Sequence, residues 1–273
     1  MSEHQPAIVV PEEALVRLRE ARYVFMLTGA GVSAESGIPT FRAPGTGLWS
    51  QYRLEDFATP SAWRRDPSLV WSWYTHRRRL ARRARPNPAH LGLAQLERWL
   101  AARGASSLIA TQNVDGLHQR AGSSDVIELH GSLFRFRCVD EGVSIAWEDP
   151  EDDDQAALER LEQGERLQPP PCPRCSSALR PDVVWFEEPL PIGPWTQAHE
   201  AAERCDVCIV VGTSARVYPA ANLPGSALRH GAYLIEINPE VTGMTGRAHW
   251  AAQASAGLAL PALLSALGET LTS

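Results

Sequence analysis

The feature that most constrains this chain is Tyr23-Val24-Phe25-Met26-Leu27, an unbroken apolar run that ends in the turn Thr28-Gly29-Ala30-Gly31. Apolar residues without polar alternation suit a strand covered on both faces, the habit of a parallel sheet under helices. Glycines directly after it allow a sharp turn and let a phosphate approach the free N–H groups of the next helical turn. Further runs at Leu108–Thr111, Val126–Leu129, Val207–Val211 and Tyr233–Ile237 read as strands of the same sheet. Helical spacing appears at Pro11–Arg22, where Ala14, Leu15, Leu18 and Ala21 recur, and at Ala89–Arg103 and Trp195–Arg204. Strand alternating with helix predicts an α/β fold, a Rossmann-like doubly wound parallel sheet.

Two stretches interrupt this rhythm. Residues 38–86 open on a Pro/Gly-rich loop and continue into helices rich in Trp and Arg; residues 134–177 carry Cys138, an acidic run from Glu148 to Asp154 and a proline cluster before Cys172. The expected division is therefore a Rossmann-like domain of residues 1–37, 87–133 and 178–273, a helical insertion at 38–86 and a ribbon-like insertion at 134–177. The acidic run reads as a solvated loop.

Among the 273 residues 44% are apolar, enough for a substantial core, and the formal net charge is −6. That balance argues against a direct nucleic-acid binder but not against a lysine-rich protein substrate. No basic stretch leads into an apolar run near Met1, and no apolar stretch reaches the length of a membrane span. A cytoplasmic setting follows, in which five cysteines are expected as metal ligands or buried thiols rather than disulfides.

The glycine turn lacks the third glycine of G-x-G-x-x-G, which disfavours a hydride-transferring dehydrogenase. Five segments carry a more specific pattern: Gly29-Ala-Gly-Val-Ser-Ala-Glu-Ser-Gly-Ile-Pro-Thr-Phe-Arg42, Thr111-Gln-Asn-Val-Asp-Gly-Leu-His118, Leu129-His130-Gly131, Val211-Gly-Thr-Ser214 and Glu236-Ile-Asn238. In this order they resemble the sirtuins, NAD-dependent protein-lysine deacylases, from about residue 8 to about residue 265. The resemblance implies NAD as co-substrate, acylated lysine in protein substrates as partner, and nicotinamide and O-acyl-ADP-ribose as products.

It also implies roles. His130 would be the general base that deprotonates a ribose hydroxyl, a step suited to imidazole because its ordinary pKa lies near neutrality. Asn113 and Asp115 would orient the nicotinamide ribose and a bound water, and Gln112 the ribose hydroxyls. Gly29, Ala30, Gly31, Ser33 and Glu35 would form the cofactor turn. On the loop that follows, Phe41 would shield the reactive carbon and Arg42 would order the loop around the phosphates. Gly212, Thr213, Ser214, Asn238 and the backbone near Ala256 would hold phosphates and adenosine. Taken singly, a histidine at a strand end is more often a satisfied polar group, and Asn113 or Asp115 could simply cap a helix. A protein mono-ADP-ribosyltransferase, or a non-catalytic module that binds acyl-lysine or NAD metabolites, is an alternative use of the same residues.

Tyr74 and Arg77 lie three apart, so on a helix they share a face; a guanidinium fork can grip a carboxylate while the phenol adds a donor. This Tyr-x-x-Arg resembles the motif of the class III sirtuins, which remove succinyl, malonyl and glutaryl groups. Ala58 and Thr40 match that class as well. Against it, Arg77 opens a run with Arg78, Arg79, Arg82, Arg83 and Arg85, which alone reads as a solvated basic helix.

Val184, Trp185 and Phe186 resemble the segment that pairs with substrate backbone as an added strand. Glu187 stands where the family usually has glycine. The family also carries a structural zinc on two Cys-x-x-Cys pairs. Here Cys172 and Cys175 form one intact pair, while Cys138 is followed by Glu141 at the other cysteine position. A Cys138, Glu141, Cys172, Cys175 zinc site is chemically feasible. Cys205 and Cys208 read as core thiols, expected to diverge because residues three apart on a strand face opposite ways.

Overall fold

The computed structural model describes residues 8–39, 53–147 and 155–269. In chain order the elements are α1 (Glu12–Glu20), β1 (Tyr23–Thr28), α2 (Gly31–Ala34), α3 (Pro60–Arg65), α4 (Pro67–Arg83), α5 (Pro88–Ala102), β2 (Ser106–Thr111), α6 (Leu117–Arg120), β3 (Val126–Glu128), β4 (Gly131–Cys138), β5 (Ser144–Ile145), α7 (Gln155–Glu162), β6 (Leu179–Val183), α8 (Ile192–Arg204), β7 (Val207–Val211), α9 (Leu223–Arg229), β8 (Tyr233–Ile237), β9 (Trp250–Ala252) and α10 (Ala256–Leu267).

Six of these strands form one parallel sheet in the order β3-β2-β1-β7-β8-β9. Numbered by their appearance along the chain, that is the 3-2-1-4-5-6 order of a doubly wound fold, with the switch point between β1 and β7. The alternate side chains of β1 serve two cores. Val24 and Met26 pack with Leu18 of α1, Leu93 and Leu96 of α5 and Leu260 of α10. Phe25 and Leu27 pack with Ala198 and Ala202 of α8 and Leu223 of α9. Helices on both faces are what an apolar run without polar alternation requires.

β9, Trp250–Ala252, escaped the sequence reading: unlike the equally short edge strand β3, it lacks a run of β-branched and leucine residues. The described part of the predicted helical insertion, residues 53–86, carries α3 and α4 and no strand. β4, β5 and β6 form a separate antiparallel sheet in the order β5-β4-β6, which reaches past both expected bounds of the 134–177 insertion: β4 begins at Gly131 and β6 spans Leu179–Val183. A third core joins them: Trp63, Trp71, Trp73 and Tyr74 from the helices meet Leu133, Phe136 and Trp185. The acidic run 148–154 lies outside the described residues. Among the described residues no helix is long and apolar enough to cross a membrane.

Candidate active site

The two glycine turns meet at the switch point. Gly29 N–H donates to Val211 O at 3.1 Å and Gly31 N–H to Gly212 O at 2.8 Å. A Cβ on Gly29, Gly31 or Gly212 would sit 2.7, 2.8 or 2.5 Å from the facing turn, so a side chain at any of the three would push the turns apart. Beyond them opens a cavity of about 710 Å³ at the carboxyl ends of β1 and β7. Gly29, Ala30, Gly31, Glu35, Gln112, Asn113, His130, Gly212, Thr213, Ser214, Asn238 and Ala256 all line it.

The polar groups here are positioned by one another. Gln112 Nε2 donates to Thr213 Oγ1 at 2.9 Å, and Asn238 Nδ2 to Thr213 O at 2.8 Å. Glu35 accepts from Ser255 Oγ at 3.0 Å and from Gly257 N–H at 2.8 Å, joining α2 to the start of α10. Ala256 therefore opens its helix at the cavity wall, with the next N–H, that of Gly257, already taken by Glu35.

His130 directly precedes β4. Its Nδ1 lies 3.0 Å from Gln112 O. A carbonyl only accepts, so Nδ1 carries the proton and Nε2 keeps a lone pair. Burial pushes the imidazole below its ordinary pKa, and the bond to Gln112 O pulls only partly back. The ring is therefore neutral at pH 7 and competent to take a proton.

Behind it is a hub the sequence did not disclose. The Ser33 hydroxyl donates to Asp115 Oδ2 at 2.7 Å and accepts from Asn113 Nδ2 at 3.0 Å. His90 Nδ1 accepts the Asn87 N–H at 3.3 Å, so its Nε2–H donates to Ser33 Oγ, also at 3.3 Å. Ser33 and Asp115 are 1% and 5% exposed and stand behind Asn113 instead of lining the cavity. Burial raises the Asp115 carboxyl against the pull of the Leu117 N–H, the Ser33 hydroxyl, Arg77 and Arg120. Burial holds His118 neutral, its pKa lowered to about 4, and burial with His118 beside it takes His90 to about 3. The one sequence trace of His90 was Asn87-Pro-Ala-His90, a capping box at the start of α5.

The same cavity continues to Ala58, Tyr74 and Arg77. Burial pushes the Tyr74 phenol up to about 12 while Arg77 and Arg180 pull it down, so it stays a neutral donor. Arg77 lies over the Trp73 ring at 4.9 Å, and Trp73 stacks on Phe57 at 4.6 Å. The run from Arg77 is not a solvated basic face: Arg78 and Arg79 are 0% and 3% exposed, and Arg78 lies over Trp71 and Phe136. Val184, Trp185 and Phe186 line the cavity too, Val184 N–H bonded to His130 O and Phe186 N–H to Ala58 O, both at 2.9 Å. Phe41 and Arg42 lie outside the described residues.

Residues 29–219 match the model of the Sir2 family. A Thermus thermophilus protein named NAD-dependent protein deacylase is 49% identical over 91% of this chain and 92% of its own length. The chain belongs to the Sir2 family. A Methylococcus capsulatus relative of the same name is 46% identical over 94% of this sirtuin and 96% of itself. A Sir2 homologue solved as an NAD complex superposes with a TM-score of 0.84 at 42% identity, over 98% of each chain. Another, solved with 2′-O-acetyl ADP ribose, gives 0.83 at 43% identity over 95% of this chain and 97% of that one.

Beside the smaller sheet of this sirtuin the sulfurs of Cys138 at the end of β4 and of Cys172 and Cys175 in the turn before β6 lie within 4.8 Å of one another, and Cys138 Sγ is 3.4 Å from Cys175 Sγ. Three converging thiols are a donor set that fits zinc. Glu141 is not gathered with them. Its N–H donates to Cys138 Sγ at 3.5 Å, while its carboxylate meets Arg174 Nε at 3.1 Å. The expected divergence of Cys205 and Cys208 is corrected. Cys205 ends α8 ahead of the strand, so both thiols enter the same core. All five cysteines are free thiols.

Proposed function

We propose that this sirtuin is an NAD-dependent protein-lysine deacylase whose acyl site favours chains ending in a carboxylate: succinyl, malonyl and glutaryl, with acetyl a weaker substrate. One observation carries the reading. His130, Asn113 and the glycine turns share a single cavity with Ala58, Tyr74 and Arg77. A group placed to take a ribose proton is thus in the same space as a carboxylate receptor.

NAD supplies an activated ribose whose leaving group is neutral nicotinamide. The chain's residues do the rest. Gly29, Gly31 and Gly212 let the backbone come close to the phosphates, and the α10 start at Ala256 faces them. Asn113, fixed by Ser33 and Asp115, orients the ribose. His130 Nε2 accepts the proton of a ribose hydroxyl that attacks the acyl carbon, while Nδ1 stays bonded to Gln112 O. Arg77 and Tyr74 bind the distal carboxylate, and small Ala58 leaves room for the chain. Val184, Trp185 and Phe186 hold the peptide. A neighbouring Sir2 homologue captured with 2′-O-acetyl ADP ribose supports the product assigned here. In this reading Phe41 would shield the reactive carbon and Arg42 would help order its loop around the phosphates. Zinc on Cys138, Cys172 and Cys175 would tie the smaller sheet together and takes no part in the chemistry. Free thiols and the net charge of −6 suit a cytoplasmic enzyme that does not bind nucleic acid directly.

Matched acyl peptides test the reading. Arg77→Met is expected to lower kcat/KM for desuccinylation by about a hundredfold, as expected when a charge in a desolvated site loses its partner, and to change deacetylation only a few-fold. Equal losses in the two reactions would rule out selective carboxylate binding.

A further inference from the structure

We propose that Glu187 selects the sequence around the modified lysine, favouring substrates with an arginine or lysine beside it. The inference rests on the deacylase reading and adds a determinant to it.

The segment Val183–Glu188 is fixed from both sides. Arg180 grips both carboxylate oxygens of Glu188, at 2.6 and 3.0 Å, and donates to Val183 O at 2.8 Å. Glu188 Oε2 also accepts the Trp185 N–H at 2.8 Å, and the Arg180 guanidinium lies 3.2 Å above the Trp185 ring. Val184 and Phe186 anchor the turn further through His130 O and Ala58 O. Within it Glu187 adopts φ 74°, a left-handed conformation that favours glycine. A side chain kept in such a conformation at a cavity rim points to a function there.

Charge accounting singles out the same residue. Among the described residues the carboxylates that line the cavity are Glu35, Glu187, Glu188 and Glu240. Glu35 is taken up by Ser255 and Gly257, Glu188 by Arg180, and Glu240 has a partner as well. Glu187 is exposed and makes no hydrogen bond or ion pair among the described residues. It lies next to Phe186 of the segment assigned to the peptide, so a chain delivering its lysine past that segment carries its neighbours past this carboxylate. Arg216, on the loop after β7, also lines the cavity. Its preference would be for acidic neighbours, the opposite sign.

Succinyl-lysine peptides carrying Arg, Ala or Glu at each of the three positions on either side, assayed at low and high salt, test the proposal. An exposed charge pair contributes up to about 1 kcal/mol, so at low salt one or two positions should favour Arg over Ala by about two- to fivefold in kcat/KM. High salt should flatten the ratio. Glu187→Gln should bring it to one, and Glu187→Lys should turn it towards Glu. A wild type without preference, or a Lys variant that keeps the wild-type preference, overturns the proposal while leaving the deacylase reading intact. Failure to bind or turn over any acyl-lysine peptide would overturn both.

Discussion

At position 130 the two ring nitrogens have different tasks. Nδ1 is spent on Gln112 O, and the proposed mechanism assigns the ribose proton to Nε2. The base must be deprotonated to work, and burial sets its folded pKa below the ordinary 6.5. Activity is therefore present above that value and lost as pH falls through the lowered one. The acid limb of kcat/KM should lie below pH 6.5, since this parameter reports the free enzyme. A limb at or above 6.5 would mean that the imidazole is not in the environment described. His130 was legible because Leu-His-Gly sits between recognisable motifs. The Ser33–His90–Asn113–Asp115 hub was not, because its members come from three separate stretches and only folding brings their oxygens and nitrogens together. The burial of Arg78 was equally hidden: the sequence shows a charge run, and only the packed aromatic rings of Trp71 and Phe136 show where one of those charges goes.

Among the elements, the apolar runs located five of the six strands of the large sheet: β1, β2, β7 and β8 through burial under helices, and the half-buried edge strand β3 through the run Val126–Leu129. β9 has no comparable apolar run, and β4 went unrecognised although Phe134-Arg-Phe-Arg137 alternates as a strand should, because its stretch was read for its cysteines. Gly131, the first residue of β4, has φ 79°, and a Cβ there would overlap the Asp182 carbonyl on β6. Gly131→Ala should therefore cost about 2–4 kcal/mol in urea unfolding, from backbone strain plus the displaced strand. It should also lower activity beyond that, because His130 is the preceding residue. Unchanged stability would show that the β4–β6 pairing is looser than its register implies. Cys205 shows the converse failure: applying strand alternation to a residue still in the helix cap gave the wrong facing.

For the molecule as a whole, the large sheet brings the two glycine turns together, and the helices beside the smaller sheet add Tyr74 and Arg77 to the lining of the same cavity. The thiols of Cys138, Cys172 and Cys175 are the natural tie for that smaller sheet. The purified protein should hold one zinc per chain, and chelation should lower its melting temperature by roughly 5 °C or more, because metal bound only to the folded state adds its binding energy to folding. Zinc well below one per chain would leave hydrophobic packing around Ile145 and Leu179 to do the work. The central claim is that the acyl group leaves lysine for the ribose of NAD at His130. Its most direct test is mass spectrometry of succinyl-lysine peptide incubated with and without NAD, with the His130→Ala variant alongside. Wild type should give unmodified lysine, nicotinamide and O-succinyl-ADP-ribose in equal amounts, only with NAD, and the variant should give next to none. Free succinate released without NAD, or ADP-ribose attached to the peptide, would contradict the account.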